Sequence, residues 1–215
     1  MTDLQIEVAR ALLDAKGVGF APQAPVTFKS GIVSPVYVDN RRLPFVPAAW
    51  RVVIEAFRQV IAGDALRFDV VAGIEAGGIP HSAALGYALQ MPSVFVRKQA
   101  KEHGQKKAIE GGEVAGLTVL LIEDLVTTGS SSLAAVEALR NEGALVNNCL
   151  TIVSYGFPQA KDGFAQAGVK LCALTNFGVI VSEAYSAGLF SEQELAVIED
   201  WRANPLQWGE KYGFA

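Results

Sequence analysis

The sequence contains few of the residues that cross-link small proteins or bind structural metals. Of its 215 residues only two are cysteine, Cys149 and Cys172, and two are histidine, His81 and His103. The cysteines form no CxxC pair and lie in apolar stretches, which favours buried free thiols, although a disulfide between them stays open. The histidines are too few and too far apart for a zinc site built with those thiols.

Long apolar runs and an excess of positive charge are also missing. No run reaches the roughly 18 apolar residues of a membrane span, and the first ten residues, MTDLQIEVAR, do not resemble a signal peptide. The formal net charge of −4 makes general nucleic-acid binding unfavourable. We therefore expect a cytoplasmic protein with neither nucleic acid nor membrane as a partner.

What the sequence does contain is apolar residues in alternating strand and helix patterns. Its 51% hydrophobic and 19% charged residues exclude a disordered chain, and 215 residues can bury a core without cross-links. The patterns predict strands over 69–74, 93–97, 117–123, 144–153 and 169–174. They predict helices over 3–16, 47–63 and 130–143, one from the glycine-rich turn to about Leu89, a short one containing 162–168, and one after the capping box of Ser191 and Glu194.

Residues 20–46 do not follow these patterns. They contain four prolines at irregular spacing and a short alternating stretch at Val36–Val38, which predicts a short hairpin or arm. The rest of the chain predicts an α/β fold with an open parallel sheet flanked by helices. Ligands of such sheets lie beyond the carboxyl ends of the strands, so the loops that follow the strands are where a site is expected.

The first such loop follows the apolar run 117–123. Two acids, Glu123 and Asp124, are followed by small hydroxyl residues, Gly129 and the start of a helix. The backbone amides of Thr127–Ser131 can converge on a phosphate, helped by the positive end of the helix. The carboxylates would repel that anion, so they are expected to face another group, such as ribose hydroxyls or a magnesium-bound sugar. An acidic helix cap would give a similar pattern. Neither a Walker A loop nor GxGxxG is present here.

The second loop is strongly basic. Arg97, Lys98, Lys101, Lys106 and Lys107 are five of the 18 cations of the chain and fall within 11 residues. The segment from Lys98 to Glu113 is longer than the roughly 12–15 residues common for unstructured connections, which favours a functional lid over a merely solvated loop. Cations on a closing loop can stabilise a departing anion and exclude water.

The third loop is the glycine-rich turn within AGIEAGGIP, residues 72–80, which can bring backbone close to a diphosphate. An ordinary strand-to-helix turn has similar composition. Pro80 is expected in the first turn of the following helix, and His81 is expected to be a packing or surface residue.

Three segments together resemble one enzyme family. VLLIEDLVTTGSS at 119–131 closely resembles the phosphoribosyl-pyrophosphate (PRPP) signature of type I phosphoribosyltransferases. FVRKQAKEHGQKKAIEGG at 95–112 is similar to the catalytic loop of orotate phosphoribosyltransferases, and TFKSGIVSPVYVD at 27–39 is similar to their K-S-G-x-x-S-P-x-Y segment. The resemblance covers most of the chain in order.

The resemblance implies a fold, an activity and partners. The chain would form a single type I phosphoribosyltransferase domain over 1–215, with a small N-terminal hood at about 1–46 over the active site. It would transfer phosphoribose from PRPP to orotate, giving orotidine 5′-phosphate and pyrophosphate, in de novo pyrimidine synthesis. Mg²⁺ would be carried by PRPP rather than by a protein site. The family also implies a homodimer in which loop 98–113 reaches the neighbouring site.

The resemblance further assigns roles to residues, with Lys101, His103 and Asp124 as the catalytic group. Glu123 and Asp124 would hold the ribose hydroxyls, and Thr127 would contact orotate together with Tyr37 and Val38. The residues expected to bind PRPP are Lys29, Arg97, Lys98, Lys101, His103, Glu123, Asp124, Leu125, Val126, Thr127, Thr128, Gly129, Ser130 and Ser131.

Two segments depart from the family pattern. Some members carry a lysine in the glycine-rich turn where this chain has Ala76-Gly77, and many carry an Asp-Arg pair, whose arginine contacts orotate, where this chain reads Ser154-Tyr155-Gly156-Phe157. The alternatives are therefore a phosphoribosyltransferase for another base and a PRPP-sensing regulator. A regulator would need a nucleic-acid-binding module, and the first 45 residues show no helix-turn-helix pattern.

Overall fold

A computed structural model describes residues 1–28, 30–98 and 108–214. Within these residues the strands are β1 Val18–Phe20, β2 Val26–Thr27, β3 Val33–Ser34, β4 Val36–Val38, β5 Val70–Ile74, β6 Ser93–Val96, β7 Ile109–Glu110, β8 Thr118–Val126, β9 Leu145–Ser154 and β10 Lys170–Asn176. The helices are α1 Asp3–Asp14, α2 Pro47–Gly63, α3 Gly78–Leu89, α4 Ser130–Asn141, α5 Pro158–Gln166, α6 Phe177–Ser186, α7 Glu192–Ala203 and α8 Trp208–Lys211, and a 3-10 helix spans Asn40–Phe45.

The main sheet has the order β10-β9-β8-β5-β6-β7 among the described strands. All pairs are parallel except β6–β7, which is antiparallel at the edge. The predicted open parallel sheet flanked by helices is therefore confirmed. Strand β7 was not predicted, because two residues are too few to show an alternating pattern.

The sheet is covered on both faces. Along β8, Leu120 and Ile122 pack into a core with α1, α2, α3, α6 and α7, while Val119 and Leu121 pack into a second core with α4 and α5. Burial on both faces explains why the strand sequences are continuous apolar runs rather than alternating ones. None of the helices in the described part of the chain is long and apolar enough to cross a membrane.

Most predicted elements are present, with shifted ends. Helix α2 has the predicted bounds, and the capping box of Ser191 and Glu194 begins α7. Strand β8 continues three residues past the predicted end at position 123, because its partner β9 pairs with it as far as Val126. Helix α5 begins at Pro158, ahead of the predicted 162–168, with proline in its first turn.

Residues before α2 form two separate features. Helix α1 packs against α2, α6 and β10 and is part of the main body. Strands β1 and β4 form one small antiparallel sheet and β2 and β3 another, which agrees with the predicted hairpin character of residues 20–46. Trp201 in α7 donates its indole N–H to the Val33 carbonyl at 2.7 Å, which fixes the second small sheet to the C-terminal helices. A hood function for residues 1–46 stays a prediction.

Candidate active site

The carboxyl ends of β5 and β8 lie side by side in the middle of the sheet. The two strands pair in parallel up to Gly73 and Ile122, and β8 then continues through Glu123 and Asp124 while β5 turns into α3. Three loops predicted to carry chemistry therefore begin at neighbouring strands: the glycine-rich turn after β5, the basic segment after β6, and the hydroxyl-rich loop after β8.

Glu123 and Asp124 occupy adjacent positions of a strand and so point to opposite faces. Glu123 is buried at 5% exposure, and its carboxylate accepts from Ser132 Oγ at 3.3 Å and from the Asp124 backbone N–H at 3.1 Å. Burial, and next the neighbouring Asp124 carboxylate, raises the pKa of the Glu123 carboxyl well above its usual value. Of the two acids, Asp124 is the one that is partly exposed.

The glycine-rich turn packs its backbone against this end of β8. A Cβ added to Gly77 would lie 2.3 Å from Asp124 Cγ, and one added to Gly78 would lie 2.5 Å from the Ile122 carbonyl oxygen. Neither glycine has a positive φ, so the close approach rather than backbone conformation demands the missing side chain. The turn thereby forms a wall of backbone directly beside the Asp124 carboxylate.

His81, three residues further along α3, is completely buried behind this turn. Trp50 in α2 donates its indole N–H to His81 Nδ1 at 3.0 Å, which requires the neutral ring with its proton on Nε2. Burial lowers the pKa of His81 to about 4, against a smaller opposing effect of Asp124. Of the two readings of His81, packing is correct and surface exposure is wrong.

The loop after β8 leads into an uncapped helix. Gly129, with φ of +82°, is the N-cap of α4, and among the described residues no side chain forms a capping hydrogen bond there. A Cβ at Gly129 would lie 3.3 Å from Ala160 Cα, so glycine is needed for both conformation and packing. The N–H groups of the first turn, the positive end of the helix and the hydroxyls of Thr128 and Ser130 are thus available to an anion.

The 3-10 helix Asn40–Phe45 covers Asp124 from the other side. Asn40 is fully buried and donates its Nδ2–H to the Asp124 backbone carbonyl at 2.6 Å. The next residue, Arg41, donates from Nε to Asp39 Oδ1 at 2.6 Å and from Nη2 to the Tyr37 hydroxyl at 3.0 Å. Tyr37 is 41% exposed, whereas Val38 points to the opposite face and is buried in the core.

The end of β6 brings one predicted cation near the site. The charge of Lys98 opposes the rise in the pKa of Glu123 that burial causes, and the Lys98 backbone N–H donates to Glu75 at 3.1 Å, beside the glycine-rich turn. Arg97 instead forms an ion pair with Glu110 of β7 at 2.7 Å. The predictions for Lys29, Lys101 and His103 fall on residues outside the described ranges.

Sequence comparison assigns this arrangement to a known family. Residues 45–184 match the model of the phosphoribosyl transferase domain. The chain is 40% identical to orotate phosphoribosyltransferase from Coxiella burnetii, covering 94% of this chain and 97% of that protein. It is 39% identical to the same enzyme from Bacillus caldolyticus, covering 94% and 98%. The chain belongs to the orotate phosphoribosyltransferase family.

Solved structures of orotate phosphoribosyltransferases have the same fold. The enzyme from Aeropyrum pernix superimposes with a TM-score of 0.73 at 29% identity, over 86% of this chain and 99% of that one. UMP synthase of Leishmania donovani superimposes with a TM-score of 0.79 at 28% identity over 93% of this chain, which spans 42% of that larger protein.

The orotate phosphoribosyltransferase residues expected from the sequence lie in different places along and after β8. Glu123 lies within the strand, Thr127–Ser131 follow its carboxyl end, and Leu125 and Val126 are the last strand residues, with side chains packed in the two cores. These two residues could reach a ligand only through their backbone.

The segment that departs from the family pattern is apolar and buried. Tyr155 and Phe157 lie in a cluster of rings with Phe28, Phe177 and Trp201. Burial, with a smaller contribution from Tyr37, raises the pKa of the Tyr155 hydroxyl. This segment supplies no cation to the site, in agreement with the missing arginine.

Two residues beside Asp124, Asn40 and Arg41, were not predicted from the sequence, whereas the turn that contains Gly77 was predicted and His81 was expected to pack. Asn40 and Arg41 follow directly on the segment 27–39 that resembles the family. Their position next to that segment was the sequence feature that could have pointed to them. Nothing in the sequence distinguishes Gly77 from the other glycines of its turn, because its importance depends on a contact with β8.

Proposed function

We propose that this protein transfers the phosphoribosyl group of PRPP to orotate, giving orotidine 5′-phosphate and pyrophosphate, as its relatives' names indicate. The observation that carries the proposal is the close packing of the glycine-rich turn against the Asp124 carboxylate, on the strand whose following loop leads to the uncapped start of α4. A ribose flanked by two phosphate groups needs acceptors for its hydroxyls in the middle and anion sites at both ends. The Asp124 carboxylate can supply the acceptors, and the start of α4 and the glycine-rich turn can supply the two anion sites.

In this proposal the start of α4 holds the 5′-phosphate. The hydroxyls of Thr127, Thr128 and Ser130 and the N–H groups of the first turn offer directed donors, and the helix end favours negative charge. Asp124 would accept hydrogen bonds from the ribose hydroxyls. Glu123 would act from behind the strand, since its carboxyl group is buried against Ser132.

The diphosphate would lie along the glycine-rich turn, between Gly77 and the cations after β6. Lys98 is positioned for this role, and Lys101 and His103 receive it from the family resemblance. As orotate's ring nitrogen attacks the anomeric carbon and the bond to pyrophosphate breaks, negative charge develops on the departing oxygen. Cationic donors placed there stabilise that charge.

The residues present are compatible with Mg²⁺ carried by PRPP. Among the described residues no group of three or more acidic, histidine or cysteine side chains could hold a metal alone. Mg²⁺ is commonly held by one or two carboxylates together with substrate oxygens, and Asp124 could supply one. When bound, the ion would neutralise part of the diphosphate charge.

We further propose a homodimer in which the basic segment 98–113 serves the neighbouring site. This proposal follows the family resemblance; the described ends of the segment, Lys98 and Ala108, lie at the β6–β7 edge of the sheet, two strands away from β8. Two strand spacings correspond to about 10 Å. Location in the cytoplasm stays a prediction of the sequence.

The direct test is product formation by the purified chain. With PRPP and Mg²⁺, we expect orotate to yield orotidine 5′-phosphate, identified by chromatography, and parallel reactions with uracil, adenine and hypoxanthine to yield none. Nucleotide from a purine and none from orotate would contradict the proposed base. No nucleotide from any base, despite measurable PRPP binding, would favour the sensing alternative.

A further inference from the structure

An arginine outside all the family motifs lies at the mouth of the candidate site. Arg41 belongs to the 3-10 helix whose preceding residue, Asn40, is buried and bonded to the Asp124 carbonyl. That bond fixes the backbone at Arg41 against the carboxyl end of β8. The Arg41 side chain is 60% exposed and is held from two sides.

The two contacts orient the guanidinium. Asp39 is the N-cap of the 3-10 helix, and its Oδ1 accepts from both the backbone N–H of Arg41 at 3.2 Å and Nε at 2.6 Å. The Nη2 group donates to the Tyr37 hydroxyl at 3.0 Å. Because a guanidinium has five N–H donors, Nη1 and the second hydrogen of Nη2 stay available for a ligand beside the Tyr37 ring.

The charge around Arg41 favours a ligand of low charge. The Asp39 carboxylate balances the arginine, so the pair as a whole attracts a polyanion such as a diphosphate only weakly. What the pair offers is a fixed fork of donors, the geometry that matches a carboxylate. The pKa of Arg41 is raised, chiefly by Asp39 and further by Tyr37 and Asp124, so the guanidinium stays charged.

Among the described residues, the other arginines near this side of the site have partners, including Arg202, which lines a cavity with Tyr155–Phe157 and pairs with Glu199 at 2.6 Å. In the described ranges, Arg42 donates to the Ala15 carbonyl, Arg97 is paired with Glu110, and the segment at Tyr155–Phe157 contributes only rings and backbone. Lys98 lies on the side of the glycine-rich turn. If a base that carries a carboxylate lies against Tyr37, Arg41 is therefore the described cation placed to bind that carboxylate.

We propose that Arg41, oriented by Asp39 and Tyr37, binds the carboxylate of orotate and takes the place of the arginine missing at Tyr155-Gly156. This inference rests on the proposed transfer to orotate and names a residue that sets its base specificity. Loss of the contact between Arg41 and the orotate carboxylate should weaken orotate binding and leave PRPP binding nearly unchanged.

The test is steady-state kinetics of orotidine 5′-phosphate formation with each substrate varied at saturating levels of the other. For Arg41→Gln we expect the KM for orotate to rise by about 10-fold to 100-fold, the range for a hydrogen bond to a charged group. The KM for PRPP should change by less than about threefold. Arg10→Gln, which breaks an exposed ion pair with Glu183, is the matched control and should change neither value.

Two further measurements separate binding from a structural effect. Uracil is orotate without the carboxylate, so its inhibition constant should be the same for wild type and Arg41→Gln. Tyr37→Phe removes only the hydroxyl that orients Arg41, and its effect should be absent when Arg41 is already Gln. Arg41→Lys keeps the positive charge but loses the paired N–H donors of the guanidinium, so its affinity for orotate should lie between those of wild type and Arg41→Gln. This variant still tests the proposal if Arg41→Gln folds poorly.

The proposal is overturned if the KM for PRPP rises as much as that for orotate, or if uracil inhibition weakens in parallel with orotate binding. An unchanged KM for orotate would overturn it as well. If the wild-type protein made no orotidine 5′-phosphate, the proposed function would be refuted instead. The KM ratios between variants test only the role of Arg41.

Discussion

The two acids of strand β8 show how neighbouring residues acquire different chemistry. Glu123 faces α4 and is buried, with a raised pKa, whereas Asp124 faces the glycine-rich turn and is partly exposed. The alternation of a strand places them on opposite faces. We therefore expect binding of the ribose to depend strongly on the charge of Asp124 and only weakly on a charge at Glu123.

Substitution of each acid by its amide tests this difference. Asp124→Asn should lower kcat/KM by about 100-fold or more, because the amide replaces one acceptor by a donor beside the ribose hydroxyls. Glu123→Gln should lower it by less than about 10-fold, because the Glu123 side chain is buried against Ser132 on the opposite face of the strand from Asp124. Equal losses in the two variants, both with wild-type thermal stability, would contradict the assignment.

His81 makes stability depend on pH in a defined direction. Its pKa is about 4 in the folded protein against 6.5 for the ordinary group, so the unfolded chain takes up a proton at higher pH than the folded one. The stabilising contribution of neutral His81 is complete above pH 6.5 and is lost as the pH falls towards 4. A shift of this size corresponds to about 3 kcal/mol of unfolding free energy.

The measurement is urea unfolding of wild type and His81→Asn at pH 7.5, 5.5 and 4.5. The Asn oxygen can still accept from the Trp50 indole but cannot take up a proton in this range. The variant should therefore lose less stability on acidification than wild type, while the carboxylates common to both proteins contribute equally. Identical losses would contradict the buried neutral histidine.

At the residue scale, the sequence predicted which side chains belong to the site better than which way they face. Tyr37 and Val38 were expected to cover the base together, but strand β4 alternates and places Val38 in the core. Asn40 and His81 act through contacts with residues more than 30 positions away, Asp124 and Trp50. Such pairings depend on tertiary packing and leave no local signal.

At the element scale, the glycine-rich turn can pack closely against Asp124 because Gly77 has no side chain. Gly77→Ala adds a Cβ 2.3 Å from the Asp124 carboxyl carbon, and the flexible end of that side chain must move away. Because a misplacement of about 1 Å can cost up to about 100-fold in rate, kcat/KM should fall by about 10-fold or more. The unfolding free energy should change by less than about 1 kcal/mol, since Gly77 has φ of −66° and ψ of −38°, which alanine adopts readily.

Gly63→Ala is the matched control for this substitution. Gly63 ends α2, and nothing lies within 4 Å of an added Cβ there. Its activity should equal that of wild type. If Gly77→Ala were also fully active, the close packing of the turn against Asp124 would have no functional role.

Helices with an apolar stripe and strands with a continuous apolar run were predictable from sequence. Helices α1 and α2 have apolar stripes, and their positions agree closely with the predictions. Helix α6 was missed because it follows β10 without a break and is apolar on most sides, so neither a turn signal nor a helical period marks it. Its start is fixed by the Asn176 side chain, which accepts from the Val179 N–H at 3.2 Å.

At the scale of the whole molecule, the proposed homodimer predicts complementation between two inactive variants. Lys101→Ala and Asp124→Ala should each be nearly inactive, but in a mixed dimer one site combines an intact Asp124 with Lys101 of the other chain. Random pairing makes about half of the dimers mixed, each with one working site of two, so activity should recover to about a quarter of wild type.

The measurement is activity after equal amounts of the two variants are unfolded and refolded together. Each variant refolded with wild type provides the control for refolding yield. Native mass spectrometry must show the mixed dimers. A mixture containing them that is no more active than the mean of the two variants would mean that the basic segment serves its own chain.

The edge strand β7 has a consequence for how the length of this segment can vary. Pairing of Phe95 with Glu110 and Val96 with Ile109, with a 2.8 Å backbone hydrogen bond from Arg97 to Ala108, holds both ends of the connection together. The entropy lost on closing such a connection grows only logarithmically with its length, by about 0.6 kcal/mol for each doubling. Insertions and deletions between these anchors therefore leave the folding of the sheet almost unaffected, so that selection can change this segment independently of the body that carries it.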